Sequence, residues 1–166
     1  MLAPALLQTS PSARCISAGF DASGVMTRTE SGRLRVLLVD DYPDAREMYG
    51  EYLEIAGFDV VEAGNGLEAL QRAVDDSPDI ILMDLSLPLV DGWEATRRLK
   101  ADDRTAGIPV VGFTGQACAG TSEGARAAGC DGFVIKPCLP EDLVREIRKV
   151  LERLPRVPST QPAPRL

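Results

Sequence analysis

Five apolar runs of strand length punctuate the middle of the chain: LRVLLV (34–39), FDVVEA (58–63), DIILM (79–83), IPVVGF (108–113) and GFVI (132–135). A helix-like stretch follows each of them. Residues 43–56 set Ala45, Met48, Tyr49, Tyr52, Leu53 and Ala56 at three- and four-residue spacing, which predicts one buried stripe. Residues 66–75 follow Asn65 as an N-cap, and Pro78 closes that unit. A third helix is expected over 91–101, with Asp91-Gly92 capping and turning into it and Trp93 packing at its start, and a short fourth over about 119–128. The last runs from Pro140 to about Arg153, with Leu143, Ile147, Val150, Leu151 and Leu154 inward. Strands that are apolar throughout are buried on both faces, so the alternation predicts an α/β fold: a doubly wound, five-stranded parallel sheet with helices on each side. The usual strand order of such a flavodoxin-like sheet is 2-1-3-4-5.

Doubly wound sheets place their sites just beyond the carboxyl ends of the strands. Those ends deliver Asp40 and Asp41, then Glu62 with Ala63, then Asp84, Thr114 and Lys136. In the order 2-1-3-4-5 the first, third, fourth and fifth strands are neighbours, so four deliveries meet in one crevice. Three clustered carboxylates repel one another unless a cation neutralises them, and a hard divalent ion with oxygen ligands describes a Mg²⁺ site. With that charge offset, one carboxylate can act as nucleophile toward a phosphoryl group. The transition state spreads charge over three oxygens, which an ammonium and a hydroxyl donor stabilise. Lys136 and Thr114 supply these groups. Lysine stands only at positions 100, 136 and 149, so its place at a strand end is informative.

The rest of the composition removes competing chemistries. The chain has no histidine, which excludes His-based triads, His metal ligands and a phosphohistidine donor. Cys15, Cys118, Cys130 and Cys138 form no C-x-x-C pair, so they read as small apolar residues or reduced thiols rather than a zinc site or disulfide framework. The formal net charge of −7, with the acidic surplus in the middle segment, argues against a direct nucleic-acid footprint. No apolar stretch approaches membrane-spanning length and no signal peptide is recognisable, so a cytoplasmic protein without membrane insertion is expected. An aspartyl-phosphate phosphatase would need a second Asp where Tyr42 stands, and the acidic DDYPD segment would repel a nucleotide phosphate.

LLVDDYPDARE, ILMDLSLPLVDGWE, VVGFTGQA and GFVIKP resemble the four signature blocks of response-regulator receiver domains, the family typified by the single-domain chemotaxis receiver. The resemblance covers about residues 34–153. It implies that Asp84 is the phosphorylation site of a two-component phosphorelay. Asp40, Asp41, Asp84 and the Ser86 carbonyl would then hold Mg²⁺. It further implies that Thr114 is the switch hydroxyl, that Lys136 pairs with the phosphoryl group, that Phe133 is the aromatic that reorients with it, and that Pro137 is cis. Gly115 departs from the usual Ala after the switch Thr, and Phe133 from the usual Tyr. Ser86 and Gln116 occupy the positions that tune dephosphorylation. Gln116 is expected to hydrogen-bond the attacking water and the small Ser86 to leave it access.

The partners implied are a sensor histidine kinase or phosphotransfer protein as donor and a downstream protein target. The chain thus reads as a response regulator, a switch rather than a metabolic enzyme. The alternative is a receiver-shaped interaction scaffold that is never phosphorylated. The receiver is expected over 33–154, after a flexible extension at 1–32 and before a disordered Pro-rich tail at 155–166. Nothing after residue 154 suggests a DNA-binding output arm.

Overall fold

The structure is a computed structural model, and it describes residues 32–115 and 121–153. Strands and helices alternate as β1 (Arg35–Val39), α1 (Pro43–Ile55), β2 (Asp59–Ala63), α2 (Gly66–Asp76), β3 (Ile80–Met83), α3 (Gly92–Ala101), β4 (Val110–Thr114), α4 (Thr121–Ala128), β5 (Gly132–Ile135) and α5 (Pro140–Arg153). The strands form one parallel sheet in the order β2-β1-β3-β4-β5, as the alternation predicts.

Successive residues of a strand point to opposite faces, so each strand feeds two cores. Leu37, Val39, Ile81, Met83 and Val110 face α2, α3 and α4, where Ala69, Ala73, Ala95, Leu99 and Ala125 complete one cluster. Val36, Leu38, Ile80, Leu82, Val111 and Phe113 face α1 and α5, against Tyr49, Leu53, Leu143 and Ile147. Each fully buried Leu, Ile or Val contributes about 1.5–3 kcal/mol, which offsets the entropy of ordering the chain. Paired strands buried on both sides make the sheet centre a rigid base for whatever its ends carry.

The helix starts follow local chemistry. Pro43 occupies the first turn of α1, where its missing N–H costs nothing. The Asn65 side chain accepts from the Glu68 amide at 2.9 Å, and Glu68 reaches back to the Gly64 amide at 2.9 Å. Ser77 ends α2 in the left-handed region (φ 45°), just before Pro78. The Asp91 side chain caps α3 through the Glu94 amide at 2.7 Å.

The α1 stripe differs from its expected composition. Met48 is half exposed, because the buried line of α1 runs through Tyr49, Gly50 and Leu53 and so lies rotated away from position 48. Gly50 permits this rotation: a β-carbon there would stand 3.1 Å from a Glu62 carboxylate oxygen on β2. Leu154, Gln116, Cys15 and Cys118 lie outside the described residues, as do the segments 1–31 and 154–166.

Candidate functional site

Strand pairing sets the site before any side chain acts. The ladder continues one residue past the strands: the Asp40 amide donates to the Ala63 carbonyl at 3.1 Å, and the Asp84 amide to the Val39 carbonyl at 3.0 Å. This fixes Asp40 and Asp84 side by side at the mouth of β1 and β3. On the other side, the Lys136 amide donates to the Thr114 carbonyl at 2.8 Å. The Lys136–Pro137 bond is cis, as the family resemblance implies.

The carboxylates of Asp40, Asp41 and Asp84 each bring an oxygen to within 4.8 Å of the other two. Asp40 and Asp84 are buried and Asp41 is exposed. Lys136 Nζ donates to Asp40 Oδ2 at 2.5 Å and to Asp84 Oδ2 at 2.7 Å. Burial works against the charged form of Lys136, but these hydrogen bonds outweigh it and hold the ammonium above the ordinary lysine range. One ammonium among three carboxylates leaves a net negative crevice of hard oxygen donors open to solvent on the Asp41 side. That donor set fits a divalent cation such as Mg²⁺.

The remaining contacts fix orientation. Asp84 Oδ1 accepts the Ser86 amide at 2.8 Å, and the Ser86 and Thr114 hydroxyls lie 3.0 Å apart. Thr114 is buried at the end of β4. Asp40 Oδ1 accepts the Tyr42 amide at 2.8 Å, which aims its other oxygen at Lys136. The Phe133 ring lies over Gly112, its register partner on β4, where a β-carbon would stand 3.0 Å from Phe133 Cδ2. The ring is half-buried against Leu85 and its neighbours. Trp93 packs against the same cluster and its ring backs onto Gly124 of α4. Among the residues expected at the crevice, Asp40, Asp41, Asp84, Ser86, Thr114 and Lys136 are thus assembled there. Glu62, delivered by the edge strand β2 and not expected at the crevice, turns to the surface.

Two contributors escaped the reading of the sequence. Arg46 donates to the Asp40 carbonyl at 2.7 Å and pairs with Glu62 at 2.9 Å, bracing the β1–α1 connection from outside. Its only signal was its place one turn into α1. Gly92 lets α3 start hard against the end of β3: a β-carbon there would collide with the Asp84 carbonyl oxygen and stand 2.6 Å from Leu85 Cα. An Asp-Gly pair reads as an ordinary cap and turn, so its closeness to Asp84 was not visible.

Residues 36–148 match the response regulator receiver domain family. The chain belongs to that family. Among curated relatives, the receiver is 36% identical over 116 residues to the polar-differentiation response regulator DivK of Brucella anthropi, covering 70% of this chain and 94% of that protein. It is also 36% identical over 125 residues to the DNA-binding dual master transcriptional regulator RpaA of Synechocystis, covering 75% of this chain but only 52% of RpaA. The chain therefore spans about half the length of RpaA and nearly all of DivK. The chemotaxis protein CheY4 of Vibrio cholerae superposes with a TM-score of 0.68 at 29% identity, covering 71% of this chain and 98% of CheY4. The receiver domain of the Pseudomonas aeruginosa sensor histidine kinase PA1611 superposes with a TM-score of 0.67 at 29% identity, covering 72% and 98%, and in that structure a magnesium ion is coordinated in the active-site cleft.

Receiver domains are phosphoacceptor modules of two-component signalling rather than metabolic enzymes, and the Asp40, Asp41 and Asp84 cluster of this receiver has the acidic, cation-binding character of that role. Among the described residues, no helix is long and apolar enough to cross a membrane.

Proposed function

We propose that Asp84 accepts a phosphoryl group from a sensor histidine kinase or phosphotransfer protein, and that the resulting acyl phosphate changes the surface this receiver offers to a downstream protein. The observation that carries this reading is Asp84 itself. It is buried, with one oxygen fixed by the Ser86 amide and the other by Lys136, and it stands beside two further carboxylates. A carboxylate oxygen forms the new P–O bond as the donor's bond to phosphorus breaks, and the donor leaves with its electron pair. Held by Asp40, Asp41, Asp84 and the Ser86 carbonyl, Mg²⁺ would neutralise charge and orient the phosphoryl oxygens. Lys136, already 2.7 Å from the acceptor oxygen, takes up charge that develops on the phosphoryl group.

Thr114 is the switch hydroxyl in this proposal. It exchanges its contact with Ser86 for one with the phosphoryl group, and Phe133, seated over Gly112, reorients with it. Two arrangements of β4 and β5 with different affinity for a target suffice for signalling. Ser86 and Gln116 set the lifetime of the phosphorylated state. The proposed domain spans 33–154 in a cytoplasmic setting.

Incubation with acetyl phosphate tests the reading by intact mass. Wild-type protein gains one phosphoryl group only with Mg²⁺ present, and Asp84→Asn gains none. Equal labelling of the variant and the wild type would refute it.

A further inference from the structure

Lys136 has a third partner that the phosphoryl chemistry leaves alone. Its Nζ lies over the ring of Phe113, 4.3 Å from the ring centroid. Phe113 is fully buried on β4, one residue before Thr114, and belongs to the cluster shared with α1 and α5. Tyr49 of α1 meets it edge-on, with ring centroids 4.9 Å apart and planes at 85°. The Cys138 thiol sits beside the Tyr49 hydroxyl, two residues beyond Lys136, so the chain that carries the lysine also touches the ring's brace.

We propose that Phe113, braced by Tyr49, is a positioning residue that holds the Lys136 ammonium in place while its carboxylate partners change. The inference rests on the phosphoacceptor role of Asp84. Both hydrogen-bond acceptors of Lys136 alter in that cycle: Asp84 becomes the acyl phosphate, and Asp40 turns to the cation. The ring face is inert to both events. A cation within about 6 Å of an aromatic centroid is attracted by the ring's negative face, and the attraction strengthens where water is excluded. An alkyl side chain would keep an apolar contact there without that attraction. The ammonium would then follow whichever carboxylate bound it most tightly, and would meet the incoming phosphoryl group only part of the time.

The brace gives α1 a share in the same geometry. An edge-to-face pair fixes the tilt of the buried ring, so a change at Tyr49 is felt at Lys136 without any contact between Tyr49 and the phosphoryl group.

The test compares wild type with Phe113→Leu and with a protein carrying trifluorinated phenylalanine at 113, which keeps the ring's shape and weakens its negative face. The readouts are the rate of phosphorylation by acetyl phosphate at saturating Mg²⁺, the Mg²⁺ affinity and the melting temperature. The expected result is a rate about three- to thirtyfold lower in Phe113→Leu, a smaller loss with the fluorinated ring, and unchanged Mg²⁺ affinity in both. Tyr49→Phe keeps the wild-type rate and Tyr49→Leu loses part of it. Should Phe113→Leu fail to fold, the fluorinated protein decides alone. A wild-type rate with the fluorinated ring overturns the proposal while leaving Asp84 as acceptor. A wild-type protein that accepts no phosphoryl group overturns both.

Discussion

Lys136 Nζ and Asp84 Oδ2 stand 2.7 Å apart, although 52 positions separate the two residues in the chain. The same ammonium reaches Asp40, so a single cation compensates the two most buried carboxylates of the crevice. Among the described residues no other cationic side chain pairs with either carboxylate, so without Lys136 a bound metal ion would offset their repulsion.

Replacing Lys136 by Met therefore strands two buried charges. Removing one partner of a buried ion pair costs about 3–5 kcal/mol. Urea unfolding of Lys136→Met in chelator is expected to show a loss of that order, and saturating Mg²⁺ to recover much of it. A loss of equal size with and without Mg²⁺ would show that the carboxylates do not share a cation site.

Asp41 offers the complementary case. It is exposed and adds to the repulsion within the crevice, so Asp41→Asn is expected to raise the melting temperature in chelator slightly. The rise in stability that Mg²⁺ gives the wild type, about 2.7 kcal/mol at a hundredfold excess over Kd, should shrink or vanish. Thermal unfolding across a Mg²⁺ titration measures both effects.

Gly92 is expected to tolerate no side chain. In Gly92→Ala the new methyl meets the Asp84 carbonyl and Leu85 Cα, both main-chain atoms, just beyond the Asp84 amide that is tied to the Val39 carbonyl. Overpacking of this kind costs about 1–3 kcal/mol or more. Chemical denaturation should show that loss, and phosphorylation of Asp84 should slow because the acceptor's own backbone has moved.

Cys130 governs an alkaline limit. Burial pushes its thiol from the ordinary value of 9.0 up to about 11, with the nearby Asp131 carboxylate adding to the effect. A thiol whose folded pKa is raised stabilises the fold fully below pH 9. That stability is lost as the pH climbs toward 11, because the unfolded chain ionises first. The loss is at most about 3 kcal/mol. Cys130→Ala should show a shallower fall in melting temperature over this interval than wild type, with the contribution of Lys136 common to both.

The fold was legible because the central strands β1, β3 and β4 are apolar on both faces and the breaks carry their own start and stop signals, as Asn65 and Pro78 do for α2. The site was legible because Asp40, Asp84, Thr114 and Lys136 end apolar runs, and strand order alone brings those ends together. What escaped depends on contacts between elements. Met48 fits the helical spacing of α1, yet Gly50 leans the helix toward β2 and leaves Met48 outside. Gly92 looked like a turn residue because nothing local reveals that Asp84 lies against it. Phe113 closes an apolar strand run and is fully buried, but its ring face also lies beneath the Lys136 ammonium, which no local pattern reveals. A periodicity records which side of an element is apolar, and it carries no information about what the neighbouring element sets against that side.

The central claim is that Asp84, among three adjacent carboxylates, is the one that bonds phosphorus. Borohydride reduction of the acetyl phosphate-treated protein converts an acyl phosphate to homoserine, and tandem mass spectrometry of its peptides locates the change. Homoserine is expected at position 84 alone, and only when Mg²⁺ is present. Homoserine at 40 or 41, or the same yield at 84 in chelator, would contradict it.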